Sequence, residues 1–210
     1  MIQVHAELSR TALEVARTKA ELTSARMELA RQAVVDPVTG LGNRLSLATH
    51  LDQVHSISER YDRSYCVAVG NVDAFSSYNA VYGTPAGDQV LRDVASALAI
   101  EARGADRVYR VGGAQFVILL PEQPLEGGTA AAERLGDVVS SLSIPHSGSA
   151  VGRVTMSVGL AGWSPGQRAG SADMVAQAER ALAAAKVESR GCVVTATLTG
   201  LSPLSLGKRA

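Results

Sequence analysis

The segment Tyr65–Val72 constrains the fold most, because its apolar residues follow one another without the alternation of a half-exposed strand. It reads YCVAVGNV and is rich in β-branched residues. A strand with one face in water alternates apolar and polar residues, whereas a nearly continuous apolar run is typical of a strand covered on both faces. We therefore predict a central strand here, with helices packed on both sides of its sheet.

Helical and extended patterns alternate along the rest of the chain. Turn residues separate predicted helices at 44–60, 85–102, 129–142 and 172–187 from predicted strands at 107–110, 115–120, 154–161 and 192–198. Gly112 and Gly113 lie between two of these strands, which predicts an antiparallel hairpin with its tip in solvent. This order of elements predicts an α+β fold, an α/β sandwich with a mixed sheet of about five strands flanked by helices.

The first 35 residues predict a helical stalk. Residues 5–34 contain no Gly or Pro, and apolar residues recur every seven positions at Leu8, Val15, Leu22 and Leu29. The second seam is weak because its positions hold Ala12, Lys19, Arg26 and Ala33. We expect a parallel coiled coil over residues 1–35; the alternative is a single helix packed back on its own domain.

The turn chemistry that begins at Asp36-Pro37 starts the globular domain, which we place at residues 36–200. Ser, Pro, Gly and Lys residues then predict a flexible tail over residues 201–210.

Charge and composition exclude several classes. Lys plus Arg number 20 and Asp plus Glu number 20, so no bulk charge attracts nucleic acid or a membrane surface. An apolar content of 46% excludes a disordered chain. Cys66 and Cys192 lie in apolar runs, which favours buried thiols over a disulfide. With no apolar stretch long enough to span a membrane, we expect a cytoplasmic protein or the cytoplasmic part of a longer receptor.

Spaced motifs then give a resemblance to a known family. Residues 36–44 read DPVTGLGNR, residues 71–75 read NVDAF and residues 110–116 read RVGGAQF. In this order and spacing they resemble the signature motifs of the GGDEF domain, the diguanylate cyclase family, and the resemblance covers about residues 36–198. It implies a palm like that of nucleotide cyclases, in which two domains meet face to face and condense two GTP into cyclic di-GMP with divalent metal.

The resemblance also shows which catalytic groups this sequence lacks. Asn71 stands where the family has a metal-binding aspartate, and Ala114 and Gln115 replace the two acids of the signature motif. Ser76 replaces a lysine near the triphosphate. Asp73 remains, and we expect it to face the sheet interior. Magnesium needs hard, anionic oxygen ligands, so we expect a catalytically impaired domain with no catalytic residue and no cofactor, except Mg²⁺ in case GTP still binds.

Two sets of nucleotide-contacting residues are retained. Asn79 and Asp88 match the family's guanine-contacting pair, and Lys186 and Arg190 match its phosphate-contacting cations. The alternative is that Asn79 caps a short helix and Asp88 lies in the first turn of the next one. Arg103 and Asp106 match the family's Arg-x-x-Asp inhibitory site, and Arg134 matches its secondary arginine. A guanidinium grips a phosphate or a guanine edge, whereas the alternative is an ordinary solvated ion pair at a helix end.

These residues predict a regulatory or receptor module that binds cyclic di-GMP through Arg103, Asp106 and Arg134. We expect a homodimer formed through the stalk, a signalling partner protein and no nucleic acid. Two alternatives stay open: a dimerisation scaffold that binds no nucleotide, and a residual cyclase whose metal site is completed by Asp73 or by a partner subunit.

Overall fold

The structure is a computed structural model, and it describes residues 17–19, 21–22, 34–188, 191–197 and 200–204. The chain divides into two units, residues 1–34 and 35–210. In the first unit residues 17–19 and 21–22 are helical, and Arg17 donates a 3.0 Å hydrogen bond to Glu21 one turn later. Of the apolar seven-residue repeat only Leu22 lies within the described residues, so the coiled coil stays a prediction.

The described part of the second unit contains helices on both faces of one sheet. Its elements in chain order are α1 (Arg44–Tyr61), β1 (Tyr65–Val72), α2 (Phe75–Tyr82), α3 (Thr84–Glu101), β2 (Arg107–Gly112), β3 (Gln115–Pro121), α4 (Leu125–Ser141), β4 (Met156–Trp163), α5 (Ser171–Glu188), β5 (Val193–Thr197) and β6 (Gly200–Leu204). The strand order is β2-β3-β1-β4-β5-β6. Only β4 and β5 are parallel among the described strand pairs, so the predicted mixed sheet is confirmed.

The central strand is confirmed. β1 pairs with β3 on one side and with β4 on the other. Cys66 and Ala68 pack into one hydrophobic cluster with α3 and α4, while Val67 and Val69 pack into a second cluster with α1 and α5. Both faces of β1 are therefore buried, which explains its continuous apolar sequence.

Two elements were not predicted. Helix α2 reads FSSYNAVY and, with eight residues, is too short to show an apolar stripe. Strand β6 lies in the segment that we expected to be a flexible tail from residue 201, and that expectation is wrong for residues 201–204. β6 pairs antiparallel with β5 at the edge of the sheet, where Pro203 is tolerated. In the described part of the chain the sheet thus has six strands instead of about five, and residues 205–210 lie outside that part.

A close contact fixes α5 on the sheet. A Cβ added at Gly159 of β4 would clash with the backbone of Ala178 and Leu182, so only glycine lets the helix approach this far. This contact brings the C-terminal half of α5 over the end of β1, where the candidate site lies.

The two cysteines are buried free thiols, as predicted, and burial raises the pKa of Cys66 to about 12. In the part of the chain that the structure describes, no helix has the length and apolar character needed to cross a membrane.

Candidate functional site

A buried ion pair joins the two signature segments that begin at Asp36 and Arg110. The Arg110 guanidinium donates to both Asp36 carboxylate oxygens, at 2.8 and 3.0 Å. It also donates twice to the carbonyl of Gly113, at 2.9 and 2.7 Å. Burial by itself would raise the pKa of Asp36, but hydrogen bonds from Thr39 and Arg110 outweigh it and hold the pKa below 3.8. The glycine turn of the hairpin is therefore held to the start of the domain.

The end of β1 holds amides and an ammonium group. Asn71 lies opposite Gln115 on β3, and its Oδ1 accepts a 2.9 Å hydrogen bond from Nζ of Lys186 on α5. Gln115 donates to Oε1 of Glu179, also on α5, at 3.2 Å. The cation of Lys186 has no carboxylate within ion-pair distance among the described residues. The polar groups at this strand end are thus engaged with α5.

Asp73 faces the interior, as predicted. It is 3% exposed, and its two oxygens accept hydrogen bonds from the hydroxyls of Thr155 and Ser157, both at 2.7 Å. Because both oxygens are satisfied by the segment leading into β4 and by β4 itself, Asp73 serves to join two chain segments.

The residues at this strand end do not fit a divalent metal. Ala114 is buried with a methyl side chain, and its carbonyl accepts from the backbone N–H of Val72 at 3.1 Å. Asn71 offers only a neutral oxygen that Lys186 already engages. Throughout the described ranges, no group of three or more His, Cys, Asp or Glu residues could hold a metal ion. The ammonium group of Lys186 repels a divalent cation. The neutral amide of Asn71 binds such a cation only weakly, because the cation prefers carboxylates.

Asn79 and Asp88 lie on neighbouring helices. Asn79 is in the middle of α2, so the alternative that it caps a helix is wrong. Its Oδ1 is buried without a hydrogen-bond partner within the described structure, and a Cβ added at Gly87 would clash with it. Asp88 is partly exposed and is the fifth residue of α3, past a first turn that contains no acidic residue. Asn79 therefore has an unused polar atom beside the first turn of α3.

The phosphate-contacting cations are only half described. Lys186 reaches Asn71, as given above, and the backbone and side chain of Arg190 lie outside the described residues.

The Arg103–Asp106 turn follows the end of α3. Arg103 is exposed, whereas Asp106 is 9% exposed. Oδ2 of Asp106 accepts a 2.8 Å hydrogen bond from the backbone N–H of Arg103, and the N–H of Asp106 donates to the Arg103 carbonyl at 2.9 Å. The carboxylate therefore closes the turn through the backbone instead of forming the ordinary ion pair that we left as an alternative. The Arg103 guanidinium stays exposed to solvent.

Arg134 lies beside this turn. Its Nε donates at 2.9 Å to Glu101, the last residue of α3, and its Nη1 donates at 3.2 Å to the carbonyl of Ala130. Glu101 precedes Arg103 by two residues. The structure thus brings Arg103, Asp106 and Arg134 to the same end of α3.

Sequence reasoning missed several residues that hold these groups in place. It gave no role to His146, which is fully buried, lies 3.2 Å from the carbonyl of Ala74 and accepts from the N–H of Gly148. It also missed Glu101, the partner of Arg134. The contacts of His146 with Ala74 and of Arg134 with Glu101 join residues more than 30 positions apart, so no local sequence pattern predicts them.

Comparisons with known proteins agree with this geometry. Residues 33–192 match the family described as diguanylate cyclase, GGDEF domain. Diguanylate cyclase DgcP of Pseudomonas aeruginosa is 35% identical over 160 residues, covering 76% of this chain and 23% of that protein. The chain spans from 23% to 53% of the length of DgcP, MucR and DgcS, three curated relatives that it matches.

Two solved structures are similar over most of the chain. Diguanylate cyclase SiaD of P. aeruginosa, solved in complex with its activator SiaC, has a TM-score of 0.70 and 32% identity, covering 90% of this chain and 72% of that one. The coiled coil and GGDEF domain of DgcB from Caulobacter crescentus, in complex with c-di-GMP, has a TM-score of 0.71 and 30% identity, covering 92% and 99%. Because the family match spans well over half of the sequence, this chain belongs to the GGDEF family of diguanylate cyclase domains.

Proposed function

We propose that this chain is a catalytically impaired GGDEF domain that binds cyclic di-GMP and acts as a regulatory or receptor module in cyclic di-GMP signalling. The observation that carries the proposal is the Arg103–Asp106 turn, whose arginine is exposed at the end of α3 where Glu101 holds Arg134. Two contacts between Arg103 and Asp106 close the turn, so part of its backbone is fixed before a ligand binds.

The chemistry of these three residues suits a ligand with two phosphates and two guanines. A guanidinium presents parallel N–H donors that match a phosphate or the Hoogsteen edge of guanine. Asp106 bonds the backbone through Oδ2, which leaves Oδ1 as an acceptor for guanine N–H groups. Arg134 adds a second guanidinium at the same end of α3, although it must share its charge with Glu101. In support, the similar GGDEF domain of DgcB was solved in complex with c-di-GMP.

Loss of catalysis follows from the end of β1. Phosphoryl transfer depends on electrostatic stabilisation of developing charge by metal ions and cationic groups. Asn71 and Ala114 present no carboxylate that would assemble such ions, and both oxygens of Asp73 are engaged. The similar proteins DgcP and SiaD are diguanylate cyclases, so the proposal separates this chain from them by its active-site residues.

Binding of GTP without turnover is a second candidate, and one observation favours it. Oδ1 of Asn79 is buried without a partner within the described residues, which costs free energy unless a ligand supplies a donor. Asp88 on the next helix would read the same base, while Lys186 and Arg190 would contact the phosphates. Any Mg²⁺ would then arrive with the nucleotide, since within the described ranges no cluster of three or more His, Cys, Asp or Glu residues could hold it.

The proposal also includes protein partners of this chain. We propose a homodimer joined by the stalk and a signalling protein as partner, as SiaD was solved with its activator SiaC. The opposing hypothesis is an interaction scaffold that binds no nucleotide.

Calorimetric titration with cyclic di-GMP tests the proposal. Wild-type protein should bind with a Kd of about 1 μM or tighter, and Arg103→Ala should weaken binding roughly ten- to a hundredfold, because charged hydrogen bonds are lost. The matched control is Arg92→Ala, since Arg92 is also exposed on α3 and bonds only Gln89 among the described residues. Absence of heat with wild-type protein would overturn the proposal and leave the scaffold as the better explanation.

A further inference from the structure

We infer that Arg107 is a positioning residue for cyclic di-GMP binding, because it fastens the turn that carries Arg103 and Asp106. The inference rests on the proposed function. Nη1 of Arg107 donates to the carbonyl of Gly104 at 2.8 Å and to the carbonyl of Asp106 at 2.9 Å. One nitrogen thus holds two carbonyls of the same turn.

The turn needs this support because it contains a glycine and few other contacts. A Cβ added at Gly104 would meet no atom within 4 Å, so this side of the turn is open. Glycine has more conformational freedom to lose than any other residue. Apart from Arg107, the described contacts that close the turn are the two between Arg103 and Asp106.

Those two contacts share a residue with the ligand site. The carboxylate of Asp106 closes the turn through Oδ2 and offers Oδ1 to the ligand, so one side chain serves both the turn and the ligand site. Arg107 instead donates to backbone carbonyl groups of the turn, and neither of them belongs to the groups that we assign to ligand binding. It therefore adds a closure of the turn that does not depend on the Asp106 carboxylate.

Arg107 is well placed for this role. It is the first residue of β2, and its backbone pairs with Leu119 of β3 in the sheet. The guanidinium thus extends to the turn from a rigid element, and ordering the turn before binding lowers the entropy lost when the ligand binds. The competing role for an exposed arginine at this place is direct contact with a ligand phosphate.

Two variants separate these roles. Arg107→Ala removes both carbonyl contacts, and Arg107→Lys keeps a donor of similar reach. We expect Arg107→Ala to weaken cyclic di-GMP binding about five- to tenfold and Arg107→Lys to stay within about threefold of wild type. The control is Arg44→Ala, since Arg44 is an exposed arginine that donates to the carbonyl of Val111 near the other end of β2.

Two further readouts identify the mechanism. In the ligand-free protein, amide hydrogen exchange at residues 103–106 should be faster in Arg107→Ala than in wild type, which loss of a phosphate contact would not cause. The salt dependence of the affinity should match that of wild type, whereas loss of a phosphate contact would reduce it.

The inference is overturned when Arg107→Ala binds as wild type does, or when it loses affinity together with salt dependence while the free turn exchanges at the wild-type rate. Either result leaves the proposed function standing. If wild-type protein does not bind cyclic di-GMP, the proposed function fails and the positioning role fails with it.

Discussion

Replacing Asp36 with asparagine should destabilise the domain by about 2 kcal/mol at neutral pH. The side chains of Asp36 and Arg110 are only 14% and 10% exposed, and two of the guanidinium bonds go to this carboxylate. Removing one partner of a fully buried ion pair costs about 3–5 kcal/mol. The cost here should be smaller, because the asparagine oxygen still accepts one hydrogen bond and the bonds from Arg110 to Gly113 remain.

The effect should depend on pH with a definite sign. The pKa of Asp36 is held below 3.8 in the folded protein, so its stabilising contribution is fully present above about pH 5. It is lost as pH falls through the folded pKa, because protonation then removes the charge that Arg110 binds. The stability difference between wild type and Asp36→Asn should therefore be constant from pH 5 to 8 and should narrow below pH 3.8.

Urea unfolding followed by circular dichroism at several pH values measures this difference. In thermal unfolding, a loss of about 2 kcal/mol in the free energy of unfolding would lower the Tm of a domain of this size by roughly 4–8 °C. Glu122→Gln is the matched control, since the Glu122 side chain is 62% exposed in its ion pair with Arg63 and should contribute less than about 1 kcal/mol. A loss below about 0.5 kcal/mol in Asp36→Asn, or one that does not change between pH 7 and pH 3, would refute the reasoning.

Three other outcomes are expected. Incubation with GTP and Mg²⁺ should yield no cyclic di-GMP by chromatography, because Asn71 and Ala114 supply no carboxylate; formation of product by the purified protein would contradict this. Binding of a fluorescent GTP analogue should be equal within about twofold in Mg²⁺ and in EDTA, because the described cation at this strand end is Lys186, and a tenfold gain with Mg²⁺ would count against this expectation. Gly159→Ala should lower stability by at least about 2 kcal/mol in urea unfolding, because its methyl group would clash with the backbone of Ala178; an unchanged midpoint would mean that α5 can shift.

The sheet could be predicted from the sequence because its pattern is local. The apolar run of β1 and the glycine pair between β2 and β3 each determine their structure within a few residues. Helix α2 lacked such a pattern, and its start at Ala74 uses a positive φ of 50° that no local sequence rule assigns to alanine. Strand β6 is defined by pairing with β5, which its own Pro and Gly residues argue against.

The site was predicted residue by residue only through the family resemblance. Charge and spacing alone could not show that Lys186 contacts Asn71, because the two are 115 positions apart. The same holds for Arg134 and Glu101, which α3 and α4 bring together. Such contacts depend on how helices pack on the sheet, and short-range periodicity does not encode that packing.

Amide hydrogen exchange with and without cyclic di-GMP tests the proposed receptor site most directly, because it reports where the ligand lies. We expect slower exchange in residues 102–107 and around Arg134 on α4, with little change in residues 75–88, which contain Asn79 and Asp88. The same pattern should be absent in Arg103→Ala. Slower exchange confined to residues 75–88, or no change anywhere at saturating ligand, would contradict recognition of cyclic di-GMP by Arg103, Asp106 and Arg134.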